Sequence, residues 1–352
     1  MRTLPFAAVF ACAITVIAAV ARAQDGAGST EPRLLRLGVF APERHVHVET
    51  ALIPWMERVN RDLARDGVEI RLFSGGALGR KGEFQYRLLE TGVHDLSWFP
   101  TGYMPGRFPA LELFEIPLLT DDPVALTRAF WRLYERGKLP GFDGLEALAL
   151  SVSPAYNFHL TFPVDSLADL KGRKIRVLNA VQAEMMEGLG ATPVAGIGGS
   201  EVAESLSRGL IDGALFSWHA TRSMGVELIT TTHIRQPIAF SPSVVVMREA
   251  VLKSLPERAQ RAILETSGEA LSMAYIRSMQ RAADAAVARV EADPRHSLYT
   301  PSEDEQDRFR AAFRQIARGW AAGEPWRREL IDALADVLSE IEATEREAGL
   351  DG

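Results

Sequence analysis

The sequence predicts an α/β protein of two units, tied together by a long helix and finished by a helical C-terminus. Three observations carry this reading. Strand-like and helix-like apolar patterns alternate between residues 34 and 99, the alternation resumes after Asp165, and residues 256–291 form an amphipathic stretch without an internal proline.

In the first unit, Leu34 to Phe40 reads as a strand. A helix over Val48 to Ala64 follows, with Ala51, Leu52, Trp55, Met56 and Val59 on one face. Val68 to Phe73 is a second strand, Phe84 to Thr91 a second helix, and His94 to Phe99 a third strand leading into a Gly/Pro-rich loop from Pro100 to Pro109. In the second unit, strands are expected at Lys174 to Leu178, near Pro193 and at Ile211 to Phe216, with helices at Val181 to Leu189 and Glu201 to Arg208. Such alternation needs crossover connections and so predicts largely parallel sheets. Pro256 to Glu291 reads as one helix of roughly 50 Å, long enough to span both units. The alternative is two helices broken near Ser267-Gly268, where glycine costs a helix about 1 kcal/mol. From Glu303 onward, further amphipathic helices run around Phe309, Phe313, Trp320, Trp326 and Leu334.

Arg2, the apolar run from Leu4 to Val20 and the Ala21-Arg22-Ala23 that follows read as a secretory signal with a small-residue cleavage site. The mature chain is expected to start near Gln24 and to open with a short flexible polar stretch, residues 24–30. Cys12 is the sequence's one cysteine, so the mature chain has no disulfide, thiolate nucleophile or thiolate metal site. Losing Arg2 and Arg22 takes the formal charge from -7 to -9. That acidity argues against nucleic acid and anionic membranes as partners, though not against an anionic small ligand.

The usual signatures of catalysis fail one by one. The glycines and basic pair of Ser74 to Phe84 suggest a phosphate loop, but Arg80 precedes Lys81, and Gly82 stands where a hydroxyl is needed. No Gly-x-Ser-x-Gly elbow and no H-E-x-x-H occur. Gly196 to Glu201 starts like a dinucleotide loop and lacks its last glycine. His45 and His47, two apart, would point the same way from an extended segment, but no third ligand stands at useful spacing, so no metal and no cofactor is expected. The reading is of a protein that is not an enzyme; a secreted enzyme acting on a small organic acid stands as the alternative.

Several segments, taken in order, then resemble one family across nearly the whole mature chain. Gly75-Gly76-Ala77-Leu78-Gly79 with Glu83, Gly102 to Pro109, Glu112 to Pro117, Leu170 to Val177, Gly190 to Val194, Asp212-Gly213-Ala214 and Leu255-Pro256 are similar to motifs of the DctP family. These are the periplasmic solute-binding proteins of tripartite ATP-independent periplasmic (TRAP) transporters. The resemblance implies a two-domain periplasmic-binding-protein-like fold that closes on an organic acid. It also implies two membrane partners, one small and DctQ-like, one large and DctM-like, and a receptor in the periplasm; a monomer is the default expectation, though the helical C-terminus from Glu303 to Leu350 could pair. A ligand sensor for a membrane kinase is a further alternative. Residues 31–152 with 241–275 are expected to form the first domain, and residues 153–240 with 276–352 the second. The glycines at 75–79 become a structural turn, and the basic pair beside them a solvated face.

The resemblance assigns to Arg176 the clamping of a ligand carboxylate, since a guanidinium fork matches its two oxygens with parallel hydrogen bonds. Phe40, His45, Trp98, Tyr103, Phe158, Phe216 and Trp218 are candidate walls, and Asn157, His159 and Asn179 candidate polar groups. This chain has no second arginine in Asn157 to Thr161, and has Phe216 where an asparagine often stands in the family. Together these point to a monocarboxylate with an apolar or aromatic body.

Overall fold

A computed structural model describes residues 31–104, 106–117 and 120–347. The expected secretory signal, the stretch over residues 24–30 expected to be flexible, and Pro105 lie outside the described residues. Two sheets form the molecule. The first contains β1 (Arg33–Val39), β2 (Val68–Phe73), β3 (Leu96–Pro100), β4 (Leu145–Val152) and β10 (Pro242–Arg248) in the order β2-β1-β3-β10-β4. The second contains β5 (Tyr156–Leu160), β6 (Lys174–Arg176), β7 (Thr192–Val194), β8 (Gly213–Ser217), β9 (Thr232–Ile234) and β11 (Ser297–Tyr299) in the order β11-β9-β5-β8-β6-β7.

The sheets are mixed, with one antiparallel strand inside each. β1 pairs in parallel with β2 and β3, but β10 runs antiparallel to both β3 and β4. In the second sheet β5 runs antiparallel to β8 and β9. These are the strands by which the chain changes domain: β4 passes through residues 153–155 into β5, and β9 passes through residues 235–241 into β10. The two crossings are hydrogen-bonded to each other. The Ser153 N–H donates to the Ser241 carbonyl at 2.9 Å, and the Tyr156 N–H to the Ala239 carbonyl at 2.8 Å.

The 256–291 stretch is two helices rather than one, Glu257–Glu265 and Glu269–Glu291. Gly268 makes the break with φ 77° and ψ -145°, and its N–H bonds the Leu148 carbonyl of β4 at 2.8 Å. Ser272 one turn later accepts from the Leu150 N–H at 2.9 Å. Anchoring the helix to the sheet edge satisfies backbone groups that an unbroken helix would carry past. The longer helix still spans: Leu271 and Tyr275 enter the first domain's core, while Ala283, Ala286 and Val290 pack with Trp218 of the second.

The C-terminal helices divide between the domains. Phe309, Phe313 and Ile316 of helix Glu303–Gly323 fill the second domain's core. Leu330, Leu334, Val337 and Ile341 of helix Pro325–Glu347 instead complete a core with Phe114, Phe130 and Leu133 of the first, where the sequence reading had assigned residues 276–352 to the second. The chain thus crosses back once more: helix Pro325–Glu347 packs on helix Pro123–Glu135, which also meets β4 and helix Glu269–Glu291.

The loop over residues 74–83 is a structural turn. Gly75 and Gly76 adopt φ 63° and 72°, and the Gln85 amide donates to the carbonyls of Gly79 and Lys81. Among the described residues, no helix is long and apolar enough to cross a membrane.

Candidate functional site

A cavity of about 60 Å³ lies at the hinge, between the ends of the two sheets. The first domain supplies Phe40, His45, Trp98 and Tyr103; the second supplies Arg176, Gly199, Phe216 and His219; the crossings supply Ser153 and Ser241, and the strands they enter supply Tyr156 and Ser243. Met224 and Met279 also line it, with Pro100, Ser217 and Ala220.

Arg176 is the last residue of β6, held between β7 and β8, which puts its side chain at the cleft end of the sheet. It is 1% exposed. Its Nε donates to the Ile197 carbonyl at 3.0 Å, one terminal nitrogen to the Leu215 carbonyl at 3.3 Å, and the other to the Tyr103 hydroxyl at 3.4 Å. Among the described residues it has no carboxylate partner. A guanidinium has five N–H donors, so three bonds leave two unspent, as many as a carboxylate accepts side by side. A buried charge without a counter-ion is costly, and an incoming anion removes that cost.

The Tyr103 hydroxyl also accepts the Gly199 N–H at 2.9 Å, so a residue of the first domain joins two of the second. Gly82 has a role here as well. A Cβ on it would lie 2.7 Å from the Tyr103 ring, so the ring's position requires glycine beneath it. Phe40 stacks on Trp98 at 5.3 Å and meets Tyr103 edge-on at 5.9 Å, giving the first domain's wall a continuous aromatic surface. The Arg176 guanidinium lies 5.8 Å from the centre of the Phe216 ring.

Of the residues singled out from sequence, Arg176, Trp98, Phe216, Phe40, His45 and Tyr103 are brought together at this cavity. Five are elsewhere. Phe158 is one pleat deeper than Tyr156 on the same face of β5 and packs on Phe309 in the second domain's core. Asn157, on the opposite face, donates to the Ala155 carbonyl. Trp218 lies under the spanning helix. Asn179 caps helix Ala180–Gly188, accepting from the Gln182 N–H at 2.9 Å, beside a separate groove.

His159 is buried behind β8 in a chain of three imidazoles. Its Nε2 contacts the Phe216 carbonyl at 3.1 Å, its Nδ1 the His233 Nδ1 at 2.8 Å, and the His233 Nε2 the His296 Nδ1 at 3.0 Å. A carbonyl only accepts, so each ring's tautomer follows from the one before it: His159 donates from Nε2, His233 from Nδ1 and His296 from Nδ1. Burial holds His159 near a pKa of about 3 and His233 near about 2, with neighbouring imidazoles adding to the effect on His233.

Tyr156, the hinge serines, Met224, Met279 and His219 escaped the sequence reading. Tyr156 was within reach, since it shares a face with Phe158 by strand alternation. The serines and methionines had no signal, because they meet only when the crossings and the spanning helix are in place.

The sequence profile of the bacterial extracellular solute-binding protein family 7, DctP, matches residues 37–323. The chain is also 26% identical over 269 residues, 74% of its own length and 77% of the other's, to the protein named outer membrane transporter protein TsaT of Comamonas testosteroni. Among solved structures it resembles a marine metagenome TRAP solute-binding protein specific for aromatic acid ligands, solved with metahydroxyphenylacetate (25% identity, TM-score 0.79, covering 88% of this chain and 99% of that one). It likewise resembles a TRAP periplasmic solute-binding protein of Bordetella bronchiseptica with bound mandelate (24% identity, TM-score 0.78, 89% and 100%).

The fold and cleft are those of a two-domain solute receptor. The chain belongs to the DctP family of TRAP solute-binding proteins. Proteins of this family are periplasmic binding proteins for small organic acids that work with DctQ and DctM membrane subunits, and they are not enzymes.

Proposed function

We propose that this protein captures a small monocarboxylate with a compact apolar or aromatic body at the hinge cavity and delivers it to the two membrane subunits of a TRAP transporter. The observation that carries the reading is Arg176: buried, without a carboxylate partner among the described residues, and with two N–H donors unspent. The Tyr103 hydroxyl, already accepting twice, keeps its own proton to donate to the same carboxylate. The ligand's body would lie against Phe40, Trp98 and Phe216.

The cavity is small, so a ring-bearing acid needs the methionines to yield, which their unbranched chains allow. Ser217 and Ser243 hydroxyls donate to main-chain carbonyls, which leaves the hydroxyls of Ser153, Tyr156 and Ser241 to meet the few polar groups that the ligand's body carries. The marine relative's stated specificity for aromatic acids supports this choice of body.

The test is calorimetry and thermal shift with benzoate, phenylacetate, mandelate and branched 2-oxo acids, against glucuronate and succinate. Binding to the first group should weaken by at least about 30-fold in Arg176→Ala, since truncating one partner of a buried charge pair costs about 2–5 kcal/mol. A folded Arg176→Ala protein with full affinity would overturn the site. Delivery is tested separately, by uptake of the bound acid into vesicles holding the two membrane subunits; uptake without this protein would overturn that part.

A further inference from the structure

We propose that His45, His47 and His219 form a binding site for a divalent transition-metal ion that ties the first domain to the second. The sequence offered His45 and His47 as an isolated pair; folding supplies the third imidazole from the other domain. One ring nitrogen from each lies within 4.8 Å of those of the other two. Tetrahedral coordination with metal–nitrogen distances near 2.1 Å places such nitrogens about 3.4 Å apart, so the three imidazoles draw slightly closer together when an ion binds.

Two further features mark this as a ligand set. First, the nitrogens lack partners: Nδ1 of His45 and both ring nitrogens of His47 are buried with no hydrogen bond among the described residues. A buried polar atom left unpaired costs about 1–3 kcal/mol, and His47, 0% exposed, carries two such atoms. Second, the rings are held in place. The Nδ1 of His219 bonds the Ser217 hydroxyl at 2.8 Å, which frees Nε2 to ligate and fixes the ring as an outer partner does in metal sites. His47 lies between Trp98, tilted at 4.1 Å, and Tyr275, stacked at 5.4 Å. It also stands directly before the π-helical turn Val48–Leu52, a local widening that recurs at functional sites.

Imidazole donors suit zinc, copper, nickel and cobalt, and are a poor set for calcium or magnesium. His45 and His219 both line the hinge cavity, so the fourth position opens into it. Because ligands come from both domains, the ion would favour the closed arrangement over the open one. The inference does not depend on which acid the protein carries, or on whether it carries one, since it rests on the imidazoles alone.

The experiment uses the secreted protein, prepared without a histidine tag and stripped with chelator, titrated with zinc or cobalt alone. One ion per chain should bind with micromolar affinity, cobalt should give the visible absorption of a tetrahedral nitrogen site, and melting should rise with zinc. His219→Ala, which leaves the first domain's core untouched, should lose at least about 100-fold in affinity and all of the cobalt colour. Should His47→Gln fail to fold, His219→Ala and His45→Gln still decide the question. Absence of stoichiometric binding to the unsubstituted protein, or full retention of it in His219→Ala, would overturn the site. Metal binding that survives Arg176→Ala while acid binding is lost would leave this inference standing and test the carboxylate reading by itself.

Discussion

The Tyr103 hydroxyl of the first domain reaches the Arg176 guanidinium of the second at 3.4 Å, so the residue proposed to clamp the ligand also takes part in the contact that holds the domains together. Ligand capture and closure therefore share one hydrogen-bond network.

Removing that hydroxyl separates the two roles. Tyr103→Phe keeps the aromatic wall and leaves the Gly199 N–H and one guanidinium N–H without their acceptor. At about 1–2 kcal/mol for such a loss, acid affinity should fall roughly 5- to 30-fold, with a more open ligand-free protein by solution scattering. Unchanged affinity would mean the contact is incidental to closure.

Acid should destabilise the fold through its buried imidazoles. The folded pKa values of His159 and His233, about 3 and about 2, are depressed below the ordinary 6.5, so the unfolded chain takes up protons first as pH falls. Their contribution is therefore complete above pH 6.5 and is lost below it, at up to about 1.4 kcal/mol per pH unit for each ring. Urea unfolding between pH 7 and pH 5 should show at least two protons taken up; a flat profile would show that the native imidazole chain accepts protons.

Glu115 should behave in the opposite sense. Burial, reinforced by Glu112, raises its pKa to about 8, with Asn179 offsetting only part. The folded protein holds the neutral acid, so stability is fully present below pH 4.5 and is lost as pH rises toward 8. Glu115→Gln should therefore stabilise the protein by about 3 kcal/mol at pH 7, an advantage that vanishes near pH 4.5. A destabilised variant at pH 7 would mean the carboxylate is ionised and paired.

Gly268 should resist replacement. Its φ of 77° suits glycine, and a Cβ would meet the Trp131 ring at 3.1 Å. Gly268→Ala should cost about 1–3 kcal/mol and lower the melting temperature by several degrees. A neutral result would show that the two helices can fuse without disturbing β4.

Much of this was legible along the chain. The strands around Leu37, Ile70, Trp98 and Ile175, and the helices between them, follow from short-range apolar periodicity, which depends only on near neighbours in sequence. Arg176 was identified by a motif and by the match between a guanidinium and a carboxylate, which is chemistry of the residue itself. What folding alone decided is everything that joins distant segments. The sequence could not say that Phe158 turns into the core while Tyr156, two residues earlier, reaches the cavity, because strand parity fixes a face and not a depth. It could not place helix Pro325–Glu347 on the first domain, since its apolar stripe would fit any complementary face. And it could not bring His219 to His45 and His47, because that meeting depends on how two sheets close about a hinge, a property of no single stretch of chain.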